Sequence, residues 1–129
     1  MTTYTIDISR GTSNGTVSFT SGSVNVSTTC WWDPNVKIDA GTYTGYATRM
    51  DSKNDGVGGG KRQAIWFGTG VPYNNATGTS DEMFIHKGTN ASWSDGCIVI
   101  AENKVMEIWN AISPKNTANV TINVSDQGS

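Results

Sequence analysis

Residues 83–100 have the sequence MFIHKGTNASWSDGCIVI, in which two short apolar runs flank a polar segment. The first run, 83–85, leads into His86, and the second, 97–100, begins at Cys97. Short runs rich in Ile, Val and Phe, separated by Gly, Ser and Asn, are typical of β-strands and the loops between them. The stretch therefore predicts two strands joined by a loop, with His86 ending the first strand and Cys97 opening the second.

The rest of the chain is also rich in strand-forming residues. Alternation of apolar and polar residues, or enrichment in Thr, Tyr and Val, predicts strands at 4–8, 16–19, 23–27, 41–50, 63–67 and 119–124. Turn residues at 11–15 predict that the first two strands form a hairpin. Over 101–112 the apolar residues recur at the spacing of a helix face, which predicts a helix, and 125–129 are expected to fray. The whole pattern predicts a mainly β fold with one helix after the strand that Cys97 opens.

Length and composition describe one domain spanning residues 1–129. Charged residues make up 16% of the chain and the net charge is −2 at pH 7. The composition therefore gives no indication of the basic surface that binding to nucleic acid requires. No apolar stretch is long enough to predict a membrane span. The first residues contain neither the basic nor the apolar segment of a secretory signal peptide, so we expect synthesis in the cytoplasm without one.

His86 and Cys97 carry the clearest chemical signal in the sequence. His86 is the only histidine, and Cys97 is one of two cysteines. A thiol with an ordinary pKa of about 8.5 needs a neighbouring base or positive charge before it attacks a carbonyl carbon at neutral pH. Gly96 would let the backbone approach a substrate closely, and the amides around it are candidate donors to an oxyanion. The spacing of histidine and cysteine is not that of a zinc site, and no pattern predicts a metal or a cofactor.

These residues resemble a known catalytic signature. His-x-Gly at His86 and Gly88, followed by Ser-x-Gly-Cys-Ile at 94–98, is similar to the signature of the L,D-transpeptidase catalytic domain, whose cysteine is acylated by peptidoglycan stem peptides. Residues 36–43, with the sequence VKIDAGTY, are similar to the strand entry of those domains. The likeness extends over residues 36–124.

Two positions indicate which members of this family the sequence resembles more closely. Asp95 and Val99 stand where classical members usually carry histidine and arginine. The sequence is therefore closer to small, divergent members, such as phage-associated proteins and cell-wall effectors delivered by type VI secretion, than to housekeeping cross-linking enzymes.

The resemblance implies an L,D-transpeptidase-like β-sandwich or barrel and a cysteine enzyme with L,D-carboxypeptidase or L,D-transpeptidase activity. Its catalytic residues would be Cys97, His86, Gly96 and Ser94, and its substrate-binding residues would be Lys87, Gly88, Trp93, Asp95 and Tyr73. The implied partners are peptidoglycan stem peptides, together with an immunity protein or a protein of a secretion apparatus. The implied place of action is the periplasm or cell wall, reached through a secretion system or by lysis.

Several alternatives stay open at the level of the sequence. The same fold would also suit a non-enzymatic module that binds peptidoglycan or a partner protein and carries a vestigial Cys–His pair, or a cysteine amidase or endopeptidase. The acceptor of the acyl group is either water or an amine. Cys30 has the surroundings of a buried structural residue, but a disulfide between Cys30 and Cys97 would abolish the chemistry. Trp66 either lines a substrate groove or belongs to the core.

Overall fold

The structure is a computed structural model that describes residues 3–12, 14–33, 37–54, 61–69, 71–73, 78–79, 82–88 and 98–126. Within these ranges the chain forms ten strands and one helix. The strands are β1 (Tyr4–Arg10), β2 (Gly15–Ser21), β3 (Val24–Trp31), β4 (Gly41–Asn54), β5 (Lys61–Thr69), β6 (Pro72–Tyr73), β7 (Gly78–Thr79), β8 (Glu82–Lys87), β9 (Ile98–Ile100) and β10 (Val120–Asp126). The helix, α1, is Glu102–Ala111.

Eight of these strands close into a barrel. Their order around it is β1-β10-β4-β5-β8-β9-β3-β2, and β2 pairs with β1 to complete the ring. Neighbouring strands are antiparallel except β1 with β10 and β8 with β9, which are parallel. β6 and β7 form a separate two-stranded sheet. The prediction of a mainly β fold is therefore confirmed.

Alternate residues of the barrel strands point into a shared apolar core. In β1 these are Tyr4, Ile6, Ile8 and Arg10, which are buried, whereas the residues between them are partly or fully exposed. This is the two-residue period of a strand with one covered face. β9 differs because all three of its residues are buried, and four of the six residues of β8 are buried as well. This parallel pair is thus covered on both faces, as parallel strands usually are.

The helix lies where the apolar periodicity predicts it, directly after β9. It occupies Glu102–Ala111, one residue inside each end of the predicted range. Val105, Ile108 and Ile112 are buried and belong to the barrel core, and α1 packs against β3, β5 and β8. The helix ends before Pro114, because the residue preceding a proline disfavours helical backbone. Among the described residues, no helix combines the length and the apolar character needed to cross a bilayer.

The last strand is longer than predicted. Ser125 and Asp126, which were expected to fray, pair in register with Ser9 and Arg10 of β1, so that prediction is wrong for these two residues. The reason is an ion pair that local sequence patterns do not reveal. Arg10 Nε lies 2.8 Å from Asp126 Oδ1 and holds the end of β10 against β1.

Gly45 lies where β4 passes close to the backbone of β5. A Cβ at this position would overlap the Trp66 carbonyl oxygen and lie 2.9 Å from the Phe67 Cα. Both are backbone atoms, so only a separation of the two strands relieves the overlap. We expect Gly45→Ala to lower the free energy of unfolding by about 3 kcal/mol, measured by urea denaturation.

A matched control for this substitution is available on the same strand. A Cβ on Gly41 would make only ordinary contacts, the nearest being 3.8 Å from the Tyr43 hydroxyl. Gly41→Ala should therefore change stability much less than Gly45→Ala. Equal losses in the two variants would contradict the steric explanation.

Candidate functional site

β8 and β9 bring the two ends of the 83–100 stretch side by side. They are parallel neighbours in the barrel, with His86 opposite Val99. The Gly88 N–H donates a hydrogen bond to the Ile100 carbonyl at 2.9 Å, so main-chain bonding continues past the end of β8. Two strands are present in this stretch, as predicted, and they run in the same direction. β8 ends at Lys87, one residue after the predicted end at His86, and the predicted start of the second strand at Cys97 lies outside the described residues.

The imidazole of His86 is buried, with 4% of the residue exposed. It shares a face of the sheet with Val99, its partner across the ladder, and with Phe84, two residues earlier on β8. Its Nδ1 lies 2.8 Å from the Lys87 carbonyl oxygen. Because a carbonyl oxygen only accepts hydrogen bonds, Nδ1 carries the proton of the neutral ring. Nε2 is therefore the basic atom of His86.

Five predicted site residues lie outside the described residues: Trp93, Ser94, Asp95, Gly96 and Cys97. The residue that follows Cys97 in the sequence, Ile98, is described. It opens β9 opposite Ile85, the neighbour of His86, and it is fully buried. Of the predicted site residues, the structure therefore describes His86, Lys87, Gly88 and Tyr73.

Lys87 connects β8 to the start of α1. Its Nζ lies 2.7 Å from Glu102 Oε2, and the lysine side chain is 17% exposed. The carboxylate at Glu102 is in turn favoured by its place in the first turn of the helix. The predicted role of Lys87, binding a carboxylate of the substrate, stays a prediction. A substrate carboxylate would have to share this ammonium with Glu102.

Tyr73 lies in the two-stranded sheet and not in the barrel. It pairs with Gly78 and forms an isolated bridge with Ile38. A Cβ on Gly78 would lie 2.6 Å from the Tyr73 ring, so the glycine leaves the space that the ring occupies. The ring is partly buried against the core. Tyr73 thus packs the small sheet onto the barrel, and its predicted contact with substrate stays a prediction.

Cys30 is a buried residue of the barrel interior. It pairs with Ile100 of β9 and is fully covered. Its thiol is free, so Cys30 takes part in no disulfide with Cys97. Burial is the main reason that the pKa of this thiol is raised to about 11. Cys30 therefore stays a protonated thiol at neutral pH, in agreement with a structural role.

A row of aromatic side chains crosses β4, β5 and β8 on the face that carries His86. Tyr46 is opposite Trp66, and Trp66 is opposite Phe84, so the three side chains leave the sheet on the same side. The rings of Tyr46 and Trp66 stack with centroids 4.8 Å apart. All three residues line a cavity of about 210 Å³, which we call the aromatic cavity.

The aromatic cavity is formed partly by residues that the sequence did not single out. Trp66 is partly buried against the core and also lines the aromatic cavity. Its predicted contact with substrate stays a prediction. Tyr46 was not among the predicted site residues. Alternation along a strand shows which side chains share a face, but it does not show which strands become neighbours.

No three His, Cys, Asp or Glu side chains of the described ranges come together in a way that would hold a metal ion. Comparisons of the chain with protein-family models, with curated proteins and with solved structures found no match. Function must therefore be inferred from the residues themselves and from the motif that they form.

Proposed function

We propose that this protein is a cysteine-dependent acyl-transfer enzyme of the L,D-transpeptidase type, acting on peptidoglycan stem peptides. Cys97 is the nucleophile and His86 is its general base. The observation that carries the proposal is the position of His86, buried on the strand next to the one that follows Cys97, with Nδ1 on a backbone carbonyl. The His-x-Gly and Ser-x-Gly-Cys-Ile motifs support the same assignment.

Two features of His86 suit it to act as a base. A catalytic base needs a third group that orients it, and the Lys87 carbonyl does so by accepting from Nδ1 at 2.8 Å. The lone pair is then on Nε2, the atom that would receive the thiol proton. Burial of the ring also keeps bulk water away from it, which strengthens the interaction between an imidazolium and a thiolate.

The proposed reaction begins with transfer of the Cys97 proton to Nε2 of His86. The thiolate attacks the carbonyl carbon of a stem-peptide bond and forms a C–S bond, while backbone amides near Gly96 and Cys97 stabilise the oxyanion. Loss of one such donor typically raises the barrier by about 3 kcal/mol. Collapse of the intermediate breaks the C–N bond, and the imidazolium gives its proton to the leaving amine.

The acyl thioester is then resolved by an acceptor. Water as acceptor gives L,D-carboxypeptidase activity, and an amine of a second stem or a free D-amino acid gives transpeptidation or exchange. Ser94 positions His86 or the loop before Cys97. Substrate contacts are assigned to Lys87, Gly88, Trp93, Asp95 and Tyr73.

The proposed substrate determines where the protein would act. Peptidoglycan lies in the cell wall, so we place the activity in the periplasm or wall, after delivery by a secretion apparatus or by lysis. A cell that produces such an enzyme and is exposed to it would need an immunity protein.

The test is mass spectrometry of muropeptides after purified sacculi are incubated with the protein. Wild type is expected to shorten tetrapeptide stems to tripeptides or to exchange the terminal D-amino acid, and Cys97→Ala is expected to do neither. Cys30→Ala is the matched control, because it removes the other thiol of the chain, and it should retain activity. The product identifies the acceptor.

Two other results would contradict the proposal. If the sacculi are unchanged but sediment with wild type and Cys97→Ala alike, the protein is a binding module. If Cys97→Ala retains the activity of wild type, another residue is the nucleophile. Cleavage of a different stem bond, lost in Cys97→Ala, would keep the nucleophile and identify an amidase or endopeptidase.

A further inference from the structure

A second cavity, of about 450 Å³, lies beside the last turn of α1. The described residues that line it are Thr48, Arg49, Trp109, Lys115 and Asn116. Two of them, Thr48 and Arg49, also line the aromatic cavity, so the two spaces adjoin. We call the second space the cationic cavity, because it is lined by two basic side chains and, among the described residues, by no acidic one.

Hydrogen bonds to β4 hold the walls of the cationic cavity in place. The indole Nε1–H of Trp109 donates to the Thr48 carbonyl at 2.8 Å. The Asn116 N–H donates to the Ala47 carbonyl at 2.8 Å, and the Thr48 hydroxyl donates to Asn116 Oδ1. Asn116 has a left-handed backbone with φ 57°, which asparagine adopts more readily than most residues. The indole and the amide therefore form a preorganised surface.

Two basic side chains lie close to the indole of Trp109. Lys115 Nζ lies 4.3 Å from the ring centroid, and Arg49 Cζ lies 4.9 Å from it. The Lys115 ammonium donates to the Ile112 carbonyl. Within the described part of the chain, no carboxylate lies within ion-pair distance of Lys115. Partial burial lowers the pKa of the Lys115 ammonium.

We propose that the cationic cavity binds an oxyanion, the carboxylate or phosphate group of a small ligand, between Lys115 and Arg49. The planar guanidinium of arginine presents paired donors that match the oxygens of either group. Thr48 and Asn116 add polar groups at the same wall, and the indole face covers the apolar part of the ligand. The proposal stands on this cavity and does not depend on Cys97.

Titration of the ¹⁵N-labelled protein, followed by NMR at constant ionic strength, tests the proposal. The probes are N-acetylglycine, its uncharged amide N-acetylglycinamide, and inorganic phosphate. The reporters are the Trp109 indole N–H and the Asn116 backbone N–H, because both hydrogen bonds lie at the cavity wall. We expect saturable shifts of these resonances with an anion and none with the amide.

Two lysine variants separate a local effect from a change in net charge. Lys115→Met should weaken binding at least about 10-fold, the expected effect of losing a charged hydrogen-bond donor. Lys104→Met also removes one positive charge, but from a lysine of α1 whose Nζ lies 3.5 Å from Glu107 Oε2. This variant should bind the anion as tightly as wild type does.

The outcomes are distinct. Shifts with N-acetylglycine alone identify an organic carboxylate as the ligand group, and shifts with phosphate alone identify a phosphate. The proposal is overturned if the amide shifts the reporters as strongly as the acid, or if neither anion shifts them. It is also overturned if a folded Lys115→Met variant binds as tightly as wild type. The comparison of N-acetylglycine with N-acetylglycinamide is made on the wild-type protein, so it tests the proposal even if Lys115→Met does not fold.

Discussion

Replacing His86 by asparagine is expected to slow the alkylation of Cys97 by iodoacetamide at pH 6 by about 100-fold, since a thiol of ordinary pKa has well under 1% thiolate at that pH. In wild type, transfer of the thiol proton to Nε2 would make the thiolate a major species. Asparagine carries its amide N–H groups on the atom that replaces Nδ1, which lies 2.8 Å from the Lys87 carbonyl, but it does not accept the thiol proton at this pH. The substitution therefore tests the base and preserves the neighbouring hydrogen bond.

Cys30 is an internal control in the same molecule. It is buried, and its thiol pKa is raised to about 11, so it should stay unlabelled in wild type and variant. Mass spectrometry of the alkylated peptides measures both cysteines in one sample. Equal labelling of Cys97 in the two proteins would refute the role of His86 as base. Rapid labelling of Cys30 in the variant would instead reveal that the substitution had opened the barrel.

Asp126→Asn is expected to lower the free energy of unfolding by about 3 kcal/mol, because it leaves the buried guanidinium of Arg10 without a compensating charge. The side chain of Arg10 is 0% exposed, and its Nε and Nη2 lie 2.8 and 3.4 Å from the two oxygens of Asp126. Its Nη1 has no hydrogen-bond partner among the described residues. The guanidinium also lies 5.7 Å from the Trp32 ring centroid. Asp126 is thus the main source of compensation for a charge taken out of water.

Replacing the other member of the pair, Arg10, should lower the free energy of unfolding by less. Arg10→Met removes the charge and keeps an unbranched apolar side chain in the core. The side chain of Asp126 that remains is 41% exposed, so water still solvates its carboxylate, and Lys37 Nζ still lies 3.5 Å from it. The unpaired carboxylate should therefore destabilise the fold only slightly. The double variant, Arg10→Met with Asp126→Asn, should therefore be more stable than Asp126→Asn alone.

Urea denaturation of these variants measures the difference between the losses of stability in Asp126→Asn and in Arg10→Met. Lys104→Met breaks an exposed pair with Glu107 and should change stability by no more than about 0.5 kcal/mol, which makes it the control for loss of an ion pair at the surface. If Arg10→Met destabilises the protein as much as Asp126→Asn, burial of the guanidinium is not the dominant effect. The packing of the arginine stem would then explain the loss.

Some of the fold follows from local sequence alone. The helix after β9 was predicted to within one residue at each end, because apolar residues at helical spacing and the Ser113-Pro114 boundary are encoded within a few turns of chain. The pairing of β1 with β2 was predicted for a similar reason. A short turn-rich connection between two alternating segments brings them together as a hairpin.

The candidate site was predicted less completely. The motif selects His86 and its flanking strands from sequence, and those strands are present. The tautomer of His86 depends on the Lys87 carbonyl, which only the folded backbone places at Nδ1. The roles of Cys97 and of the four residues before it remain predictions. The aromatic cavity was not predicted, because it needs Tyr46, Trp66 and Phe84 from three different strands.

The types of local element, the mainly β class and the residues that form the motif can be predicted from local sequence, because each of these depends on neighbours within a few positions. The parallel pairing of β1 with β10 and of β8 with β9 is known only from the folded chain. The same is true of the burial of Arg10 against Asp126 and of the approach of Arg49 to the Trp109 ring. These contacts join residues far apart in the chain. Their partners are selected by closure of the barrel and by burial of the whole core, and neither leaves a periodic signal in a short stretch of sequence.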